Sequence, residues 1–181
     1  LAEILDEIVS RVKPDISTLE LDQLAERLIR KSGGDPAFKG YRSHVSEKPY
    51  PASICTSVND EVVHAIPRKD RILQSGDILG IDIWMRWPAS TKATAGKPAK
   101  QSPATSNQPP AGLITDMAVT VLIGRPAPFA EELTQVTKEA LDRGIKMVKP
   151  GAHLGDIGSA IQKHIEENGF GVVRNLVGHG V

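Results

Sequence analysis

The chain has 181 residues, 40% of them hydrophobic, and its 22 lysines and arginines balance its 22 aspartates and glutamates. That is apolar material for one core-forming domain or for part of a larger one, and the neutral balance gives no electrostatic case for nucleic acid or an anionic membrane surface. No apolar run approaches the ~18 residues that span a bilayer and none reads as a signal peptide, so a cytoplasmic protein without a membrane partner is expected.

The single cysteine, Cys55, excludes an internal disulfide framework. A first residue Leu1 in place of Met suggests a missing or processed start. From Leu1 to Val12, apolar residues at Leu1, Ile4, Leu5, Ile8, Val9 and Val12 keep a 3.6-residue period, which predicts an amphipathic helix ending near Lys13-Pro14. A second helix is marked by Ser17-Thr18 ahead of Glu20, with Leu21, Leu24, Ala25, Leu28 and Ile29 as its buried stripe and Gly33-Gly34 as its stop. Residues 35–51 carry three prolines and little periodicity, and read as a loop with His44 in solvent.

The stretch SICTSVNDEVVHAIP, Ser53 to Pro67, alternates short β-prone runs with Ser, Asn and Asp turns. A lone His64 there is more often a structural hydrogen-bonder than a catalyst. Cys55 is a small buried residue before it is a nucleophile, because a reactive thiol needs a base and an oxyanion site.

Two strand-like runs follow, GDILGIDIWMRW and LITDMAVTVLIG, each with one aspartate among apolar residues. Alternation places Asp82 on a face with Ile78, Gly80 and Trp84, and Asp116 with Ile114, Ala118 and Thr120. A carboxylate in such surroundings is costly to keep ionised unless paired, hydrogen-bonded or bound to a cation, and two facing carboxylates repel; a metal ion answers both problems. The bland alternative is that one aspartate ends its strand at a wet edge and the other caps a turn. Between the runs, residues 88–112 hold five prolines and no large apolar residue, and read as a Pro-rich mobile insertion. Its lysines lack interleaved aromatics, which favours a solvated linker over nucleic-acid binding. The simplest topology is an antiparallel hairpin that brings Asp82 and Asp116 together.

A third helix is predicted over Ala130–Val148, closed by Lys149-Pro150-Gly151, and a fourth from Leu154 with the stripe Ile157, Ala160, Ile161, His164 and Ile165 and a stop at Gly169. VKPDISTLELDQLAERLIRKSG and VKPGAHLGDIGSAIQKHIEENG share a V-K-P, helix and glycine order, which points to an internal duplication. Finally His179 stands between glycines; this is an ordinary turn or, since glycine lets backbone approach a site and imidazole binds metals, a ligand.

With these residues together, SICTSVNDEVVHAIP, GDILGIDI, LITDMAVTVLIG, TKEALDRGIKMVKPGAHLGDIGSAIQ and VVRNLVGHGV, the chain resembles the type I methionine aminopeptidases of the α/β pita-bread fold. The resemblance covers nearly the whole chain as one partial metallopeptidase domain, 1–181, incomplete at the C-terminus. It implies a cytoplasmic, monomeric, two-metal hydrolase that removes initiator methionine from nascent polypeptide N-termini, where it could meet the ribosome. Asp82 would chelate one metal, Asp116 would bridge both and His179 would bind the second. His64 would sit beside the scissile peptide, and Tyr50 and Cys55 would line the methionine pocket. Mixed carboxylate and imidazole ligation suits two divalent ions, Mn, Fe, Co or Zn.

Several features depart from the family pattern: Ala65 stands where the family has glycine, the Arg42–Pro49 loop is long, residues 88–112 replace a short turn, and two further glutamate ligands are not among these residues. The chain alone is therefore expected to be inactive and marginally folded, with apolar stripes on its third and fourth helices uncovered. Two other readings share the fold: an inactive pita-bread protein acting as a binding module, and a prolidase or Xaa-Pro aminopeptidase relative.

Overall fold

The computed structural model describes residues 1–42, 47–88 and 112–179. The reading of His44, and that of the 88–112 insertion apart from Pro88 and Gly112, lie outside the described residues. The chain divides into two compact units, Leu1–Gly124 and Arg125–Gly180.

In the first unit, α1 (Ala2–Ser10) turns Leu5 and Ile8 inward, as the 3.6-residue period predicts. Helix α2 (Thr18–Lys31) opens with a capping box. The Ser17 N–H donates to Glu20 Oε2 at 2.9 Å and the Glu20 N–H donates to Ser17 Oγ at 3.2 Å, satisfying two donors that no helical carbonyl can reach. Those bonds to Ser17, the backbone one foremost, hold the Glu20 carboxyl below the usual glutamate range. Ser17→Ala is expected to cost about 1 kcal/mol at neutral pH. Because the folded carboxyl is the stronger acid, its contribution is present above the ordinary glutamate range and lost as pH falls through the folded value. The gap between wild type and Ser17→Ala in urea melts should therefore narrow at acidic pH. Past α2 the chain reverses at Gly33, whose φ of +88° suits glycine.

The sheet is built around β3 (Ile78–Pro88). Strand β4 (Gly112–Leu122) runs antiparallel along one edge of β3 over its whole length, from Ile78↔Leu122 to Pro88↔Gly112. Strands β2 (Ile54–Val58) and β1 (Asp35–Pro36) share the other edge, β2 against residues 79–83 and β1 against 85–86. The two-residue β1 lies inside the stretch that composition marks as loop; its Pro36 is tolerated at a position this short and this close to a strand end. Odd-numbered β3 residues Leu79, Ile81, Ile83 and Met85 are at most 1% exposed and pack with Leu21, Ala25 and Ile29 of α2 and Leu5 and Ile8 of α1. Asp22, on α2, is itself buried and its Oδ1 accepts the Ser53 N–H at 2.7 Å and the Ile54 N–H at 3.1 Å, tying the start of β2 to the helix. Burial raises its pKa against the pull of those two donors.

Because Pro88 pairs with Gly112, a two-residue link suffices to close this hairpin. Replacing residues 89–111 by Asn-Gly is expected to leave the thermal midpoint of the full-length protein within a few degrees, since loop-closure entropy grows slowly with length. A large loss of stability on calorimetric scanning would assign those residues a structural role.

The second unit is a helical hairpin of α3 (Pro128–Lys146) and α4 (Leu154–Glu167). A Cβ at Gly144 would come within 2.9 Å of Ile161 Cδ1, so glycine is what lets the helices approach there. His164, expected in an apolar stripe, is buried with its Nε2 3.0 Å from Glu139 Oε2, and the Asn168 side chain donates to its carbonyl at 2.8 Å. Burial of this polar side chain is thus matched by partners. Leu141, Ile145, Val148 and Leu154 remain exposed. No helix among the described residues is long and apolar enough to cross a membrane.

Candidate active site

Even-numbered β3 residues form the other face of the sheet, and it is here that the aspartates fall. Asp82 is paired with Ala118 and Asp116 with Trp84, so the two carboxylates share one face as diagonal neighbours, a relation that puts such residues about 7–8 Å apart. Both are half-buried. On the opposite edge Cys55 pairs with Asp82, which places the thiol on that face as well.

Cys55 is 2% exposed. Burial pushes its thiol up to about 12, with the charges of Asp82, Asp116 and Asp22 adding to the rise and the Tyr50 hydroxyl pulling the other way. Such a thiol is protonated at neutral pH, which argues against thiolate attack. Burial likewise drives the Tyr50 phenol well above its usual range, with Cys55, Asp22 and Asp82 contributing. Its hydroxyl donates toward the carbonyls of Ile54 at 3.2 Å and Ala65 at 3.1 Å.

Beside the aspartates lies an aromatic group whose Phe38–Trp84 stack the sequence reading did not assign, although it gave Tyr50 to the methionine pocket. Phe38 stacks on Trp84, ring centroids 4.9 Å apart and planes 3° from parallel. Tyr41 meets Trp84 edge-on at 6.1 Å, and Tyr50 leans on Phe38 at 5.8 Å. Tyr41 and Tyr50 are drawn together by main-chain bonds of 2.8 Å, Tyr50 N–H to the Tyr41 carbonyl and Gly40 N–H to the Tyr50 carbonyl. The available signal was alternation, which puts Trp84 two residues from Asp82 on its face; the contact with Phe38, far off in sequence, left no local mark.

His64 is exposed and has φ of +57°, in the left-handed region that non-glycine residues seldom adopt. Among the described residues it has no hydrogen-bonding partner. His179 lies in the second unit, exposed and preceded by Gly178. Among the described residues no group of three His, Cys, Asp or Glu side chains is gathered as metal ligands would be. What the first unit offers a divalent cation is a two-carboxylate donor set, of the hard-oxygen type such ions accept, on a half-buried face and with a neutral thiol alongside.

The sequence pattern of metallopeptidase family M24 matches residues 1–94 and 110–181, and the chain belongs to that family. Among curated relatives, methionine aminopeptidase A of Synechocystis is 39% identical over 180 residues, spanning 99% of this chain and 60% of the relative. The crystal structure of methionine aminopeptidase from Thermotoga maritima superposes with a TM-score of 0.79 at 34% identity, over 99% of this chain and 61% of that one. Prolidase from Pyrococcus furiosus, at 16% identity and a TM-score of 0.64, shares the fold alone. The architecture is thus the α/β pita-bread fold expected from the sequence, and the chain spans about 60% of the length of the curated relatives it matches.

Proposed function

We propose that this protein removes the N-terminal methionine from nascent polypeptides in the cytoplasm, as a metal-dependent aminopeptidase. The observation that carries the proposal is the diagonal pair Asp82 and Asp116 on one half-buried face, next to a neutral thiol and an aromatic group. In this reading Asp82, Asp116 and His179 would be the residues that hold two divalent ions, drawn from Mn, Fe, Co and Zn. When bound, such ions supply Lewis acidity toward the scissile carbonyl and lower the pKa of water.

The chain's own residues do the rest. Phe38, Tyr50, Trp84 and the protonated Cys55 make a wall without formal charge, and thioether sulfur packs favourably against aromatic rings. Tyr50 and Cys55, both held neutral by burial, line the methionine side chain without offering it a charge. His64, exposed in the connection between β2 and β3, stands beside the scissile peptide and hydrogen-bonds its oxygen as charge develops there. The family match in two stretches, with residues 95–109 left between them, supports reading that segment as an insertion into one metallopeptidase domain.

The test is release of methionine from a Met-Ala-Ser peptide by the full-length protein, with Mn or Co titrated calorimetrically in parallel. Release that depends on metal and fails with Leu-Ala-Ser is the expected result. Metal binding without release would leave a binding module, and preference for a Met-Pro bond would favour the prolidase relatives.

A further inference from the structure

The stretch from Val62 to Ile66, which carries His64, is not held by burial: Val62, Val63 and Ile66 are 62%, 46% and 50% exposed. Downstream the chain is secured again where the Arg68 N–H donates to Thr18 Oγ1 at 2.9 Å. Between these points, among the described residues, one acceptor ties the stretch to the sheet. It is the Ala65 carbonyl, which takes the Thr56 N–H of β2 at 3.0 Å and the Tyr50 hydroxyl at 3.1 Å.

We infer that Tyr50 is a positioning residue, its hydroxyl holding the Ala65–Ile66 peptide, next to His64, against β2 and so fixing where the His64 imidazole stands relative to the Asp82 face. The hydroxyl is suited to this because its own place is set from several sides. Its ring leans on Phe38, its main chain is pinned to Tyr41 and Gly40, and the Ile54 carbonyl lies 3.2 Å from the same oxygen. A phenol has one proton, so it is shared between the Ile54 and Ala65 carbonyls, joining the start of β2 to the loop through one group. The left-handed backbone at His64, φ +57°, gives the restraint something to oppose: a histidine persists there only when its surroundings hold it.

This assigns Tyr50 a role beyond lining the methionine pocket, and it rests on the proposed function for its kinetic readout only. The experiment is Tyr50→Phe in the full-length protein, which keeps the ring and removes the hydroxyl. Hydrogen exchange is measured at the Thr56 and Ile83 amides, 15N relaxation at His64, and steady-state cleavage of Met-Ala-Ser. Loss of one neutral hydrogen bond should raise the Thr56-to-Ile83 exchange ratio roughly fivefold and increase His64 mobility. It should lower kcat by roughly 5- to 100-fold, with KM inside about a twofold range. The ratio reads the local effect even if the variant is globally less stable. An unchanged ratio with unchanged His64 mobility would overturn the inference, as would a rise in KM with kcat intact, the mark of a pocket wall and nothing more. Should the ratio rise while neither wild type nor variant releases methionine, the tether stands and the proposed reaction falls.

Discussion

Replacing Asp116 by Asn in the full-length protein is expected to abolish methionine release, and Asp82→Asn to do the same. Each substitution is nearly isosteric, so the hairpin keeps its register, but it removes one of the two anionic charges that this half-buried face presents to a cation. An amide cannot replace the charge, and weak metal retention should appear as a barrier raised on the order of several kcal/mol. His64→Ala is expected to behave differently, slowing turnover while metal content stays near that of wild type, because His64 is assigned to the substrate. Metal stoichiometry by calorimetry, set beside peptide cleavage for all three variants, separates the two patterns. Full activity in Asp116→Asn would remove the basis of the assignment.

On the opposite face of the same strand, Ile83→Ala should cost about 2–5 kcal/mol. Ile83 is fully buried, flanked by Ile54 on β2 and Met117 on β4, and faces the α1 and α2 side chains of the core. Removing three carbons there leaves a cavity that two strands and two helices can close only partly, and the thermal midpoint should fall by roughly 5–15 °C. Leu113→Ala, at a position 76% exposed on β4, should change stability by less than about 0.5 kcal/mol. A calorimetric scan in which the two variants melt together would mean that the core is not where the buried side chains indicate.

The two faces of β3 could be read in advance because strand alternation is a local rule: once Asp82 and Trp84 are in one strand, they share a side. The cap of α2 was legible for the same reason, since Ser17 and Glu20 are three residues apart and their side chains have no other use for that spacing. What escaped the sequence is non-local or rests on main-chain acceptors. The Phe38–Trp84 stack joins residues 46 apart in number, and β1 hides in a proline-containing stretch because only its pairing with Met85 and Arg86 makes it a strand. The bond from Tyr50 to Ala65 ends on a carbonyl, which every residue has, so no residue type announces it. His164 kept the helical period of an apolar stripe while being polar, and its partner Glu139 is on the other helix of the pair.

Since β3 gives its odd residues to the core and its even residues to the aspartate face, the pairing of β3 with β4 is a single adjustable quantity on which two outcomes depend. A slip of one residue in that ladder would turn Val119 or Met117 toward the place of Ala118 and carry Asp116 to the apolar side. A chain that closed its hairpin wrongly would therefore turn a carboxylate toward the isoleucines of the core and turn Val119 and Val121 away from them in the same event. Cellular quality control, which detects exposed apolar surface and not catalytic competence, would then discard the inactive molecules as a by-product of discarding the misfolded ones.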